Sequence, residues 1–118
     1  MSTHVFQLRL SGPQLPRKQQ FCAEAAALLR DLGVSRVGAD PARVPDAAEP
    51  LVVGGLAYWR LHGSPVIYRS SYSDRIDDLA AAVQATPANE KWIIFDNTAS
   101  SAATGDALAL MRALAPRA

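Results

Sequence analysis

The chain of 118 residues sets twelve Lys and Arg against eleven Asp and Glu, a formal net charge of +1, and 49% of its residues are hydrophobic. That length and apolar content fit one domain spanning residues 1–118, and so even a charge balance gives no general attraction to nucleic acid or anionic membrane, so neither is an expected partner. The single cysteine, Cys22, excludes an internal disulfide and a multi-cysteine zinc site, and among helix formers it reads as a buried thiol.

The amino-terminal stretch STHVFQLRL lacks the order of a signal peptide, and no apolar run approaches the roughly 20 residues that cross a bilayer, so a cytoplasmic location is expected. Val5 to Leu10 alternates Val5, Gln7 and Arg9 with Phe6, Leu8 and Leu10, a half-buried strand ended by Ser11, Gly12 and Pro13. His4 reads as inert. A helix is expected from about Pro16, with Phe21, Ala25, Leu28, Leu29 and Leu32 at helical spacing and Gly33 as its cap. Val34 to Gly38 is a short strand followed by Asp40 and Pro41; the acid just past a strand end can hold a ligand, and Asp-Pro equally starts a turn. Ala39 to Gly55 shows no period and is expected to be either a lid or a poorly ordered bridge.

The stretch YWRLHGSPVIYRSSYSD, Tyr58 to Asp74, holds most of the reactive side chains. Tyr58, Arg60 and His62 alternate with Trp59 and Leu61, which in a strand sends the first set to an inner face and the second against helices. Gly63, Ser64 and Pro65 break that strand, and Ser73 is positioned to cap a helix from about Asp74 to Thr86, with Ile76, Leu79, Ala80 and Val83 on one stripe. Trp92 to Phe95 is a fourth strand, apolar on both faces, tipped by Asp96, Asn97 and Thr98. Ala102 to Ala115 forms a last helix carrying Ala107, Leu110, Met111 and Leu114 on one side, and Pro116 stops it. Strands alternating with helices predict an α/β fold with a parallel sheet of about four strands in chain order and helices on its outer face. Neither GxGxxG nor GxxxxGK[ST] nor GxSxG occurs, so no nucleotide cofactor and no serine nucleophile are expected.

The blocks YWRLHG, then YSD at a helix start, then WIIFDNT before an alanine-rich helix, resemble the carboxyl-terminal half of the YecE-like family, domain-of-unknown-function family 72. The likeness reaches from Val5 to Leu114, since QLR resembles the family's Glu-Phe-Arg-His strand and GVSRVGAD its Gly-Val-Ala-Leu-Val-Leu-Ala-Asp strand. Gln7 stands at the family's Glu, Leu10 at its His, and Asp96 at the first Asn of its usual pair. Members look like TIM barrels and have no established activity. The resemblance implies that the four strands here correspond to the last four of an eight-stranded barrel, a half-barrel with open apolar edges that something must cover. A homodimer is expected, or a partner chain supplying the missing amino-terminal half.

In a barrel, reactive groups gather at the carboxyl ends of the strands, which here gives Arg9, Asp40, Arg60, His62, Asp96 and Asn97, with Tyr68 and Tyr72 able to stack on a ring. His62, Arg60 and Asp96 are the catalytic candidates: His62 as acid or base near neutrality, with Arg60 and Arg9 holding a phosphate or carboxylate. The alternative is that Arg and Asp on neighbouring strands neutralise one another. One His with Asp40 and Asp96 on scattered loops is no metal motif, so no metal is expected. Two functions follow: a non-catalytic, self-associating domain, or half of an enzyme that binds a small anionic or phosphorylated ligand.

Overall fold

In the computed structural model, which describes residues 23–116, the chain runs α1 (Ala23–Leu32), β1 (Gly38–Asp40), a 3-10 helix (Pro45–Ala48), β2 (Leu56–Leu61), α2 (Ile76–Ala85), β3 (Glu90–Phe95) and α3 (Ala103–Leu114). The strand expected at Val5 to Leu10, with Arg9, lies outside the described residues, as do His4, Phe21 and Cys22. The three described strands form one parallel sheet in the order β1-β2-β3, the chain order expected from the alternation of elements. Gly38 is level with Trp59, and Trp59 with Ile93; one step on, Ala39, Arg60 and Ile94 share a level.

Side chains at one level of a parallel sheet point to the same side. Ala57, Trp59 and Leu61 are buried and Tyr58 and Arg60 are not, so the alternation read from the sequence holds. Ala57, Trp59 and Val83 make the core, with Val52, Ala88, Ile93 and Leu114 packed on it. On α2, Ala80 and Val83 are the buried members of the expected stripe.

Gly33 ends α1 as expected: its N–H donates to the Arg30 carbonyl at 3.1 Å and the Val34 N–H to Leu29 at 2.9 Å, the paired bonds of a helix that turns out of its own axis. The apolar stripe of α1 behaves otherwise. No α1 residue is buried, and Leu28 and Leu32 are 54% and 59% exposed.

The ladder of β1 begins at Gly38 rather than at Val34, because the residues before it serve the returning chain. Arg36 pairs antiparallel with Leu51 at 3.1 and 3.0 Å, and the Ser35 hydroxyl donates toward the carbonyls of Val53 and Leu56 at 3.0 and 2.7 Å. The segment from Ala39 to Gly55 is therefore no loose bridge; its returning part is stapled to the amino ends of β1 and β2, with Ala47 buried in its 3-10 turn. Gly38 permits the close approach: a Cβ there would stand 2.7 Å from the Pro50 nitrogen and 3.0 Å from the Ala48 carbonyl oxygen. Backbone cannot step aside as a flexible side chain can, so Gly38→Ala is expected to cost about 1–3 kcal/mol. An unchanged urea midpoint for that variant would show the approach is looser than drawn.

Three further expectations are corrected. Helix α2 begins at Ile76 with Arg75 as its N-cap and no side-chain cap, not at Asp74 under Ser73. Residues before it are spent on a turn in which the Arg75 N–H bonds the Tyr72 carbonyl at 2.8 Å. Strand β3 is not apolar on two covered faces, since Trp92 and Ile94 are 44% and 38% exposed while Ile93 lies on the core. On α3, Met111 is 67% exposed although Leu110 is buried. The helix is rotated so that Asp106 and Leu110, one turn apart, face inward.

Candidate functional site

The ladder runs one residue past the strands, with the His62 N–H on the Asp40 carbonyl at 2.7 Å and the Asp96 N–H on the Leu61 carbonyl at 3.0 Å. Period two thus carries His62 to the face of Tyr58 and Arg60, and Asp96 to the face of Trp92 and Ile94, which is the same face. There the three charged groups meet. The Asp96 carboxylate accepts from Arg60 Nη2 at 2.9 Å, and His62 Nδ1 stands 2.8 Å from Oδ2 and 2.7 Å from Oδ1. A carboxylate only accepts, so Nδ1 is the donor in this bond. With the Arg60 side chain 40% exposed, the ion pair itself adds at most about 1 kcal/mol to stability. Tyr58 lies beside the cluster. Burial raises its hydroxyl pKa above the ordinary tyrosine value, the Arg60 charge opposes that, and the Asp96 charge adds to it.

After His62 the chain turns at Gly63, whose φ of +103° and whose distance of 3.0 Å from a built Cβ to the Val66 carbonyl oxygen admit no other residue without strain. The turn brings Tyr68, itself at φ +65°, edge-on to His62 with ring centroids 5.9 Å apart.

Asp40 takes the other direction. It is level with Leu61 and Phe95 and so faces the helices. Its carboxylate accepts from the hydroxyl of the fully buried Tyr72 at 2.7 Å and from Arg75 at 3.2 Å, and the Tyr72 oxygen accepts the Gly63 N–H at 2.9 Å. The Arg75 guanidinium lies 5.3 Å from the Tyr72 ring centroid, and the Phe95 ring meets the Tyr72 ring at 70°. Burial first, and the bond to Asp40 next, push the Tyr72 pKa above the tyrosine range; the hydrogen bond to Asp40 likewise raises that of Arg75.

The sign of the Tyr72 effect is definite. In the unfolded chain the phenol ionises near its ordinary pKa of about 10 while the folded phenol stays neutral, so stability is full below that pH and falls as pH rises toward the folded pKa. Native protein is expected to lose stability more steeply above about pH 10 than Tyr72→Phe, when urea midpoints are compared across alkaline pH. Parallel curves would mean that Tyr72 ionises alike in both states.

A third network ties the strand tips together. Asp106, buried in the first turn of α3, accepts the Ser71 hydroxyl at 2.7 Å, the Tyr72 N–H at 2.9 Å and the Asn97 amide at 2.7 Å. The same Asn97 nitrogen donates to the Ser70 carbonyl at 2.9 Å, so Asn97, fully buried, is a strut.

Of the residues singled out from the sequence, Arg60, His62, Asp96 and Tyr68 therefore come together, while Asp40, Tyr72 and Asn97 join the helix-side networks and Arg9 lies outside the described residues. The single mouth expected at the strand ends is divided in two by the alternation itself. Arg75 and Asp106 were not foreseen. For Asp106 the signal available is an acid four positions before Leu110 on a stripe that must be buried. Among the described residues no three His, Cys, Asp or Glu side chains cluster as a metal ion would need, and no helix is long and apolar enough to cross a membrane.

A parallel sheet with helices against one face and a charged cluster at the carboxyl ends on the other defines an α/β protein. The chain belongs to the family described as "Protein of unknown function DUF72", whose profile matches residues 16–118. This is the family that the YWRLHG and FDNT blocks resembled. No curated protein matches the chain. Among solved structures, a DUF72 family protein (ef0366) from Enterococcus faecalis V583 is similar at TM-score 0.62 and 22% identity, over 77% of this chain and 40% of that one. A second DUF72 family protein (TM1631), from Thermotoga maritima MSB8, is similar at TM-score 0.62 and 21% identity, over 79% of this chain and 41% of that one. The chain thus spans about two fifths of the length of the structures it matches, and the likeness is one of fold.

Proposed function

We propose that the chain works by association: it is a non-catalytic portion of a barrel-like DUF72 fold whose β3 edge and inner face are covered by a second copy, or by a polypeptide carrying the rest of the fold. The observation that carries this reading is the pattern of exposure along β3. Its core side holds Ile93, its other side offers Trp92 and Ile94 to solvent, and among the described strands it is paired on one edge alone. An unpaired edge beside large exposed apolar groups favours pairing with another chain, and each such side chain contributes about 1.5–3 kcal/mol when fully covered. Sedimentation equilibrium of the chain, alone and mixed with the amino-terminal portion of a DUF72 protein, is expected to return masses above that of one chain. A single-chain mass in both experiments, at all micromolar concentrations, removes the reading.

A second reading is favoured by one detail of the charged cluster. Arg60 engages Asp96 through Nη2, and its side chain is still 40% exposed, so the guanidinium fork is open to solvent beside the His62 ring. A small anionic or phosphorylated ligand suits that fork, with His62 held by Asp96 as the acid or base of half an enzyme. Inorganic phosphate is expected to shift the His62 ring signals in a saturable NMR titration, and Arg60→Ala to abolish the shift. A flat titration of the native chain removes this second reading.

A further inference from the structure

Resting on the reading of the charged cluster as an anion site, we infer that Tyr68 is its specificity-determining residue and that the ligand is an anion joined to a flat aromatic ring. Tyr68 holds a backbone conformation, φ +65°, that side chains other than those of asparagine and aspartate rarely adopt. Such a conformation costs free energy, and it persists only where the surroundings impose it.

Here they impose it from both sides. The Tyr68 N–H donates to the His62 carbonyl, the Tyr68 carbonyl accepts the Ala99 N–H at 2.9 Å, and the next carbonyl, of Arg69, accepts the Ser100 hydroxyl at 2.6 Å. Val66 is held as well, its N–H on the Ser70 hydroxyl at 2.8 Å. The loop after β2 is thereby fastened to the loop after β3, and Tyr68 sits at the seam, beside the strand ends where ligands of α/β proteins collect.

The fold recovers little of this strain. The ring is 50% exposed, so burial offsets only part of it, and asparagine would take the same φ at lower cost. What a tyrosine adds is an aromatic wall beside the charged groups. Its ring centroid lies 5.9 Å from that of His62 with the two planes 81° apart, so phenol and imidazole make a corner. His62 and Arg60 both bond the Asp96 carboxylate, which sets the half-open guanidinium next to that corner. A bare anion uses the guanidinium alone, whereas an anion carried on a flat ring also lays that ring against the exposed part of the phenol, in offset or edge contact.

The test titrates methyl phosphate and phenyl phosphate against the His62 ring signals by NMR, at a pH where both esters are dianions. Phenyl phosphate is expected to half-saturate the native chain at about a three- to tenfold lower concentration than methyl phosphate. Tyr68→Phe is expected to keep that ratio. Tyr68→Asn is expected to equalise the two esters while unfolding at the native urea midpoint, which a merely structural ring would not allow. Equal affinities on the native chain overturn the aromatic ligand and leave the anion site standing, and a ratio that survives Tyr68→Asn removes Tyr68 as its source. A clear fall in the urea midpoint of Tyr68→Asn overturns the assignment of this ring to a ligand. Titrations that are flat for both esters overturn the anion reading as well.

Discussion

Asp106→Ala is expected to lower the free energy of unfolding by about 2–6 kcal/mol, because it strands two buried donors at about 1–3 kcal/mol each. The Ser71 hydroxyl sits on an exposed residue and can turn to water. The Tyr72 N–H and the Asn97 amide cannot, since both residues are fully buried. Set against a usual total of about 5–15 kcal/mol, such a loss brings the domain close to unfolding. Asp106→Asn keeps the shape but turns an amide's own donors toward donors, so an intermediate loss is expected. Urea unfolding with unchanged m-value measures both. The effect should also reach the charged cluster, because Asn97 follows Asp96 directly, and faster amide exchange at residues 96–98 in the alanine variant is its signature. A loss below about 1 kcal/mol for Asp106→Ala would remove the carboxylate from its place as the tie between the strand tips.

The two tryptophans are expected to part company. Trp59→Ala empties the centre of the core, where Trp59 is 6% exposed against Ala57 and Val83, and should cost about 3–5 kcal/mol. Trp92 is level with Tyr58 on the open face, and its indole N–H donates to Glu90 at 2.8 Å. Trp92→Ala should therefore leave the stability of an isolated chain within about 1 kcal/mol while weakening self-association, a split that denaturation at low protein concentration and sedimentation together resolve. Equal losses of chain stability from the two variants would mean that the face bearing Trp92 is already covered within one chain.

The ordering of strands and helices was legible because it is a local matter. A strand's side chains alternate whatever it packs against, so Tyr58, Arg60 and His62 on one face and Trp59 and Leu61 on the other follow from the residues in order. The end of α1 at Gly33 and of α2 at Thr86 are likewise written in residues a turn or less away. The Asp96 cluster was half legible: its members were named from the strand tips, but their union needed β2 and β3 to be neighbours in parallel register.

What the sequence could not decide is where long-range partners meet and which surfaces are left bare. Asp40 and Arg60 both stand near strand ends, yet one residue of register puts them on opposite faces, and that register belongs to the sheet rather than to either segment. Asp106 finds Tyr72 across 34 positions, so its acid on an apolar stripe acquires a meaning only once the loops before α2 and α3 are brought together. Leu28, Leu32, Trp92 and Met111 look like core in one dimension because periodicity marks an apolar face without saying what will cover it. Covering is a property of neighbouring elements, and for these four residues the described chain supplies too few: the sequence determined which faces are apolar, and only the tertiary structure decided which of them are buried.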